Sequence, residues 1–127
     1  MERIDHQTGI AKQISTYSDA TEVRSPTRWL FTAGTPGLTQ DGHLPKGIVE
    51  QSELAWKNIL DALAKADMTI ANVVKVNTSL IDAGDIPAYG KVRAKVFGDA
   101  RPASMLAIVP GLVRPEILVE IEVVAVA

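Results

Sequence analysis

The 127-residue sequence contains no cysteine, and this absence excludes several kinds of chemistry together. The chain cannot form a disulfide, use a thiolate nucleophile or bind a metal ion through thiolates. Histidine is scarce as well, since only His6 and His43 occur, each in a polar, turn-like stretch without an acidic neighbour at the spacing of metal ligands. No glycine-rich phosphate loop of recognised spacing is present. We therefore expect neither a metal ion nor a cofactor.

Aromatic residues and clusters of positive charge are too few for a typical nucleic-acid surface. Aromatic residues make up 5% of the chain, and its 13 lysines and arginines are dispersed among 15 acidic residues, for a net charge of −2. Proteins that bind nucleic acids usually present a basic face and stack bases on aromatic rings. Nucleic acid is therefore not the expected partner.

Long apolar runs are absent too. No stretch approaches the length that spans a membrane, and the first residues lack the basic-then-apolar build of a signal peptide. Hydrophobic residues make up 46% of the chain and charged residues 22%, which is the composition of a globular protein with a real core. We expect one domain over residues 1–127, in the cytoplasm and not associated with a membrane.

Helical and strand patterns alternate along the chain. Apolar residues at spacings of three, four and seven predict a helix over residues 49–66, and Asp67 is expected in the left-handed conformation that often ends a helix. A second helix is predicted to begin near Ile86, with Gly90 in its interior. Strands are predicted over residues 29–34, 73–81, 103–109 and 117–126, with a turn at residues 35–37.

One further strand without assigned bounds is expected before the first helix, and the order strand, strand, helix, strand, helix, strand, strand favours an α+β fold in which both helices cover one face of a mixed sheet. The opposite face then needs water or another subunit. Because the final strand is rich in valine, exposing that face is unfavourable, and oligomerisation through the sheet is the expected solution. The two tryptophans, Trp29 and Trp56, are expected in the core.

Two carboxylates, Glu120 and Glu122, lie within the apolar final strand. Side chains alternate along a strand, so both glutamates share one face while Val119, Ile121 and Val123 share the other. A carboxylate removed from water without a partner is costly. The glutamate face is therefore either solvated or part of a site in which one carboxylate accepts a proton.

Short segments in a fixed order cover nearly the whole chain: Tyr17 within residues 15–18, Phe31-Thr32-Ala33-Gly34, Asn58, Val73-Val74-Lys75-Val76, Arg101-Pro102-Ala103-Ser104 and Val119-Glu120-Ile121-Glu122. In order and spacing this series resembles the Rid family, also called YjgF or endoribonuclease L-PSP-like, whose founding activity is enamine/imine deamination. The resemblance implies a chorismate-mutase-like fold of the Bacillus type and a homotrimer with small-molecule clefts between subunits.

The resemblance also implies roles for individual residues. In the deaminase branch, a tyrosine and a glycine line the cleft, and a glutamate on the last strand positions the water that attacks the imine carbon. By motif position these residues are Tyr17, Gly34 and Glu120. Glu122 is then expected to be paired or more exposed.

Three substrate-binding positions depart from the deaminase pattern. The arginine that grips the substrate carboxylate falls on Ser104, an asparagine of the second helix on Gly90, and a cleft-lining cysteine on Leu106. Arginine forms two parallel charge-assisted bonds to a carboxylate, whereas serine offers one neutral hydroxyl, so losing this anchor should cost about 2 to 4 kcal/mol in transition-state binding. Arg101 and Arg114 are the candidate replacement cations, and each is otherwise a solvated charge.

These features predict a small-molecule-binding homotrimer with enamine or imine deaminase activity, a hydrolase on an unidentified substrate that is weak on 2-imino acids. Two alternatives stay open. One is an endoribonuclease or translation inhibitor, as the older family name suggests, and the other is a non-catalytic ligand-responsive or adaptor protein. RNA cleavage needs paired proton-transfer groups and phosphate neutralisation, which this acidic, histidine-poor chain does not suggest.

Overall fold

The computed structural model describes all 127 residues. In chain order its elements are β1 (Glu2–His6), β2 (Ala20–Arg24), β3 (Trp29–Phe31), β4 (Thr35–Pro36), α1 (Ile48–Lys65), β5 (Val73–Leu80), α2 (Ile86–Phe97), β6 (Ala103–Ile108) and β7 (Val119–Val126). Both predicted helices are confirmed, and Asp67 has the expected positive φ, of 54°. Neither helix combines the length and the apolar composition that crossing a membrane requires.

An antiparallel ribbon of β1 and β2 precedes the main sheet, and the sequence pattern did not predict it. Four strands therefore stand before α1, where two were expected. The two strands pair through their backbones and also carry exposed polar contacts, among them His6 Nε2 at 2.8 Å from Glu22 Oε1. Arg3 ties the ribbon to β5 by donating to the carbonyls of Ala71 and Val73. His6 thus lies in a strand with an acidic neighbour, not in a turn.

The main sheet has the strand order β3-β7-β5-β6, and β4 also pairs with β7. β5 and β6 run parallel while β7 is antiparallel to β3, β4 and β5, so the sheet is mixed, as predicted. The predicted strand over residues 29–34 ends at Phe31, and the predicted turn contains the short strand β4 instead. Both strands share one edge of β7; Thr32 between them still bonds to Val123 of β7, and the pairing is interrupted at residues 33–34.

Both helices pack on one face of this sheet. The core between them includes Trp56, Ile59 and Leu63 of α1, Tyr89 and Phe97 of α2, and the predicted inward face of β7, Val119, Ile121, Val123 and Ala125. In β5 the buried residue near the start is Val73 and not Val74, because a register irregularity between Val73 and Lys75 shifts the alternation by one residue.

The sheet face opposite the helices is called the open face below; it carries Trp29, Phe31, Asn77, Ser79, Glu120, Glu122 and Val124. The expectation that Trp29 lies in the core is wrong, since Trp29 is 56% exposed and Phe31 69% exposed in the single chain. Their rings stack on each other with centroids 6.2 Å apart. Trp56 is buried, as expected.

Candidate functional site

The predicted site residues separate into two groups on opposite faces of the sheet. Directly paired residues of neighbouring strands point to the same face. Ser104 pairs with Val76, whose side chain belongs to the helix-covered core, whereas Glu120 pairs with Ser79 on the open face. One chain therefore presents Glu120 and Ser104 on opposite faces.

Glu120 and Gly34 are brought together on the open face. A Cβ atom added to Gly34 would lie 3.0 Å from Cδ of Glu120 and 3.3 Å from Cγ, and closer still to one carboxylate oxygen. These distances are shorter than an ordinary van der Waals contact between carbon atoms. A side chain at position 34 would thus displace the Glu120 carboxylate, which lies close to the backbone segment between β3 and β4.

A small polar pocket of about 170 Å³ surrounds this carboxylate, and it is called the carboxylate pocket below; it is lined by Gly34, Asn77, Ser79, Glu120, Ile121 and Glu122. Asn77 Nδ2 donates to Glu122 Oε1 at 2.9 Å, which leaves Asn77 Oδ1 buried without a donor. Glu122 is exposed and Glu120 is half-buried. No side chain of the pocket bonds to the Glu120 carboxylate, so its oxygens are available to hold a water molecule and to accept a proton.

The second group lines a larger cavity of about 530 Å³ between α2, β5, β6 and the segment before β2. This α2–β6 cavity brings together Tyr17, Gly90, Ser104 and Leu106. A Cβ atom at Gly90 would have no neighbour within 4 Å, so this glycine keeps space open on the cavity side of the helix. The Ser104 hydroxyl donates to the carbonyl of Pro102 at 3.2 Å. The walls are thus largely apolar, with a few hydroxyl groups.

Two hydroxyl groups join α2 to β5 in the wall of the cavity. Thr78 Oγ1 and Tyr89 Oη lie 2.6 Å apart and are buried. Burial raises the pKa of Tyr89, while the hydrogen bond to Thr78 and the positive charge of Arg93 act in the opposite direction. Tyr89 therefore remains a neutral phenol at physiological pH, well below even an ordinary tyrosine pKa near 10.

Comparison with known proteins places this arrangement in a family. The sequence model of the Endoribonuclease L-PSP family matches residues 9–127. The chain belongs to the endoribonuclease L-PSP family. Mouse 2-iminobutanoate/2-iminopropanoate deaminase is 34% identical over 115 residues, which cover 89% of this chain and 82% of the mouse protein.

Solved structures of the same family share the fold. A Yersinia pestis protein of the conserved Rid family superposes with a TM-score of 0.86 at 26% identity, covering 100% of both chains. A Mycobacterium tuberculosis member of the YjgF/YER057c/UK114 family superposes with a TM-score of 0.71 at 29% identity, covering 99% of this chain and 100% of the other. The family resemblance in the sequence and the α+β fold are thus confirmed.

In the single chain of this L-PSP family member, the candidate cations Arg101 and Arg114 lie outside both regions. Arg101 precedes β6 and donates to the carbonyls of Gly98 and Ala100 at 2.8 and 2.9 Å, so it holds the end of α2. Arg114 is exposed in the loop before β7. Neither residue lines the carboxylate pocket or the α2–β6 cavity. The cation that does line the cavity is Arg93.

One sequence pattern points to Arg93. Arg93 follows Gly90 by three residues on α2, and residues at this spacing occupy neighbouring positions on one helix face. A glycine that opens space therefore has Arg93 beside it.

Across the whole chain, no three side chains of His, Cys, Asp or Glu come together in a way that could hold a metal ion.

Proposed function

We propose that this L-PSP family member assembles as a homotrimer and hydrolyses an imine or enamine in clefts between neighbouring subunits. One observation carries the proposal: Glu120 and Gly34 face one side of the sheet, while Tyr17, Ser104 and the α2–β6 cavity lie on the other. A site that combines the carboxylate with the ligand cavity therefore needs two copies of the chain. That the assembly is a trimer is inferred from the family resemblance.

The open face supports association of this kind. Trp29 and Phe31 form a stacked aromatic pair that the single chain leaves exposed beside Glu122 and Val124. Large aromatic side chains exposed side by side often mark a contact with another protein surface. Aromatic side chains are also enriched in the cores of such interfaces. A second copy seated here would cover the pair.

The proposed chemistry is addition of water to a C=N bond. Glu120 accepts a proton from water as the water oxygen bonds to the imine carbon, whose π-electron pair moves onto nitrogen. Because the imine nitrogen is protonated at the outset, the addition gives a neutral tetrahedral carbinolamine. The proton held by Glu120 then passes to nitrogen, the C–N bond breaks as the hydroxyl oxygen lone pair forms the C=O bond, and the hydroxyl proton passes to Glu120 and from there to the departing ammonia. The products are a carbonyl compound and ammonia, and the mouse relative is named as a deaminase of this type.

Small 2-imino acids are expected to be poor substrates. Their carboxylate needs a cation near the carbon under attack, but Ser104 on the strand wall supplies only a neutral hydroxyl that already donates to Pro102, and Arg93 lies on the helix wall of the cavity. RNA cleavage has less support, because neither His6 nor His43 lines the carboxylate pocket or the α2–β6 cavity. The proposal therefore concerns an imine or enamine other than 2-iminobutanoate.

The test is the decay of imines generated in place from a panel of amino acids by an amino-acid oxidase. Glu120→Gln should lower the rate constant by about a hundredfold or more, the usual contribution of a positioned general base. Glu122→Gln is the matched control on the same strand face and should retain most of the activity. Equal rates for the wild type and Glu120→Gln would overturn the catalytic role. Saturable binding without turnover would favour a ligand-responsive protein instead.

A further inference from the structure

Arg93 is held in place on the helix wall of the α2–β6 cavity. Its Nη2 donates to Ser15 Oγ at 3.0 Å, and its guanidinium carbon lies 5.2 Å from the centre of the Phe97 ring. Phe97 is itself buried, and its ring packs edge-on against Trp56. A guanidinium that rests on a fixed ring and is tied by one hydrogen bond has little freedom left to lose when it binds a ligand.

Within one chain this guanidinium has no acidic partner. None of the ion pairs of the chain includes Arg93, and no aspartate or glutamate lines the cavity. A guanidinium has five N–H donors in a planar fork, and Ser15 takes only one of them. A half-buried cation with free donors and no counter-charge favours binding of an anion, above all a carboxylate that it can hold through two bonds.

The rest of the cavity favours an apolar body on that anion. Ile14, Ile86 and Leu106 line the mouth with exposed apolar side chains, and Gly90 leaves the helix wall open. A volume of about 530 Å³ is in the range of sites for small organic ligands, well beyond the size of a four-carbon acid. Arg93 stands on the helix wall, whereas Ser104 stands on the strand wall.

We infer that Arg93 is the anion-binding residue of this cavity, and that its ligand is a monocarboxylate with a branched or aromatic apolar body. The inference rests on the proposed function in one respect, that the α2–β6 cavity is the ligand site. It adds the class of ligand and replaces Arg101 and Arg114 as candidate cations. The carboxylate is then gripped from α2 and not from β6.

Calorimetric titration with two matched probes tests this role. 4-Methyl-2-oxopentanoate is a stable 2-oxo acid with a branched body, and 4-methylpentan-2-one has the same body and ketone with a methyl group in place of the carboxylate. Arg93→Gln should weaken binding of the acid about ten- to a hundredfold, the effect of losing a charge-assisted contact. It should change binding of the neutral ketone less than about twofold. Lys91→Gln removes an exposed charge from the same helix and should leave both unchanged.

A third variant separates the failure of this inference from that of the proposed function. Gly90→Leu fills the cavity and should abolish binding of the acid. If Gly90→Leu blocks the acid and Arg93→Gln does not weaken it, the cavity is the ligand site and the role of Arg93 is wrong. If neither variant affects binding, or the acid does not bind at all, the cavity is not a binding site for monocarboxylates of this kind. Both the role of Arg93 and the placement of the ligand site in the α2–β6 cavity are then wrong.

Folding and assembly are checked in the same samples. Arg93→Lys keeps the charge and should retain acid binding within about tenfold, because lysine also pairs with a carboxylate but only as a point charge. This variant decides the matter if Arg93→Gln does not fold. A weakened oligomer with unchanged acid binding in Arg93→Gln would show that Arg93 pairs with a carboxylate across a subunit boundary, and would overturn the inference.

Discussion

The carboxylate pocket and the α2–β6 cavity lie on opposite faces of one sheet and differ in nearly every respect. The pocket is small and polar and contains two glutamates without a cation. The cavity is about three times larger, has apolar walls, and contains Arg93 without a carboxylate. Each region thus has the charge and shape that the other lacks. The difference suggests that the functional unit of this protein is a boundary between copies.

Separating the copies should have the largest effect, because neither region is a complete site alone. Trp29→Asp places a charge in the exposed aromatic pair, where a partner surface would have to desolvate it. We expect dissociation in light scattering and loss of all imine hydrolysis. Leu60→Asp is the control, since it adds the same charge to an exposed apolar position on α1. A Trp29→Asp protein that remains an active trimer would show that the open face is not the interface.

Displacing the carboxylate within an intact assembly should have the next largest effect. In Gly34→Ala the new methyl group occupies space next to Cδ and Cγ of Glu120, so the carboxylate must move. Misplacing a catalytic group by about 1 Å can cost about a hundredfold in rate, and we expect a loss of that order with the trimer retained. Gly111→Ala is the control, because a Cβ atom there has no neighbour within 4 Å and the variant should match the wild type.

Adding a cation to the strand wall of the α2–β6 cavity should raise the rate with a small 2-imino acid. Ser104→Arg supplies a guanidinium on β6, and we expect the rate with 2-iminobutanoate to rise about tenfold or more. Ile108→Arg adds the same charge to an exposed position on the same strand face, outside the cavity lining, and should give no gain. If Ser104→Arg brings no increase over wild type in the imine-decay assay, the missing anchor is not what limits this substrate.

The sequence predicted features that depend on local periodicity and missed those that depend on pairing between strands. Both helices and the inward face of β7 follow from apolar spacing, which a single segment contains. The β1–β2 ribbon has no such alternation of buried and exposed residues, and its strands are defined by their backbone pairing with each other. The position of Val73 in the core depends on a bulge that exists only when β5 meets β7.

Motif position found only some of the residues that line the two regions, namely Gly34 and Glu120 in the carboxylate pocket and Tyr17, Gly90, Ser104 and Leu106 in the α2–β6 cavity. Motifs did not show how these residues divide, because strand register alone decides that Ser104 and Glu120 face opposite sides. Trp29 was expected inside because large aromatic side chains are usually buried. Its exposure in one chain is what an assembly surface requires. The sequence alone does not single out Arg93, because a charged residue on a helix is usually solvated. Only the tertiary structure shows that Arg93 lines the α2–β6 cavity.

The smallest expected effect is on the stability of the protein at alkaline pH, and it comes from Tyr89 in the wall of the α2–β6 cavity. Burial raises the pKa of Tyr89, so the folded protein retains the phenol proton to higher pH than the unfolded chain does. Above the ordinary tyrosine value near 10 the unfolded chain binds fewer protons than the folded one, and the free energy of unfolding must fall as pH rises. This contribution of Tyr89 is fully present below that value and is lost as the pH rises through the raised pKa.

Denaturant unfolding measured from about pH 8 to about pH 11 should show the decline in the free energy of unfolding, by at most about 1.4 kcal/mol per pH unit. Tyr89→Phe should lower stability throughout, because Thr78 loses its partner, but should reduce the decline above pH 10. Tyr17→Phe removes the half-exposed phenol of the same cavity and serves as the control. An unchanged alkaline slope in Tyr89→Phe would show that the buried phenol does not carry this pH dependence.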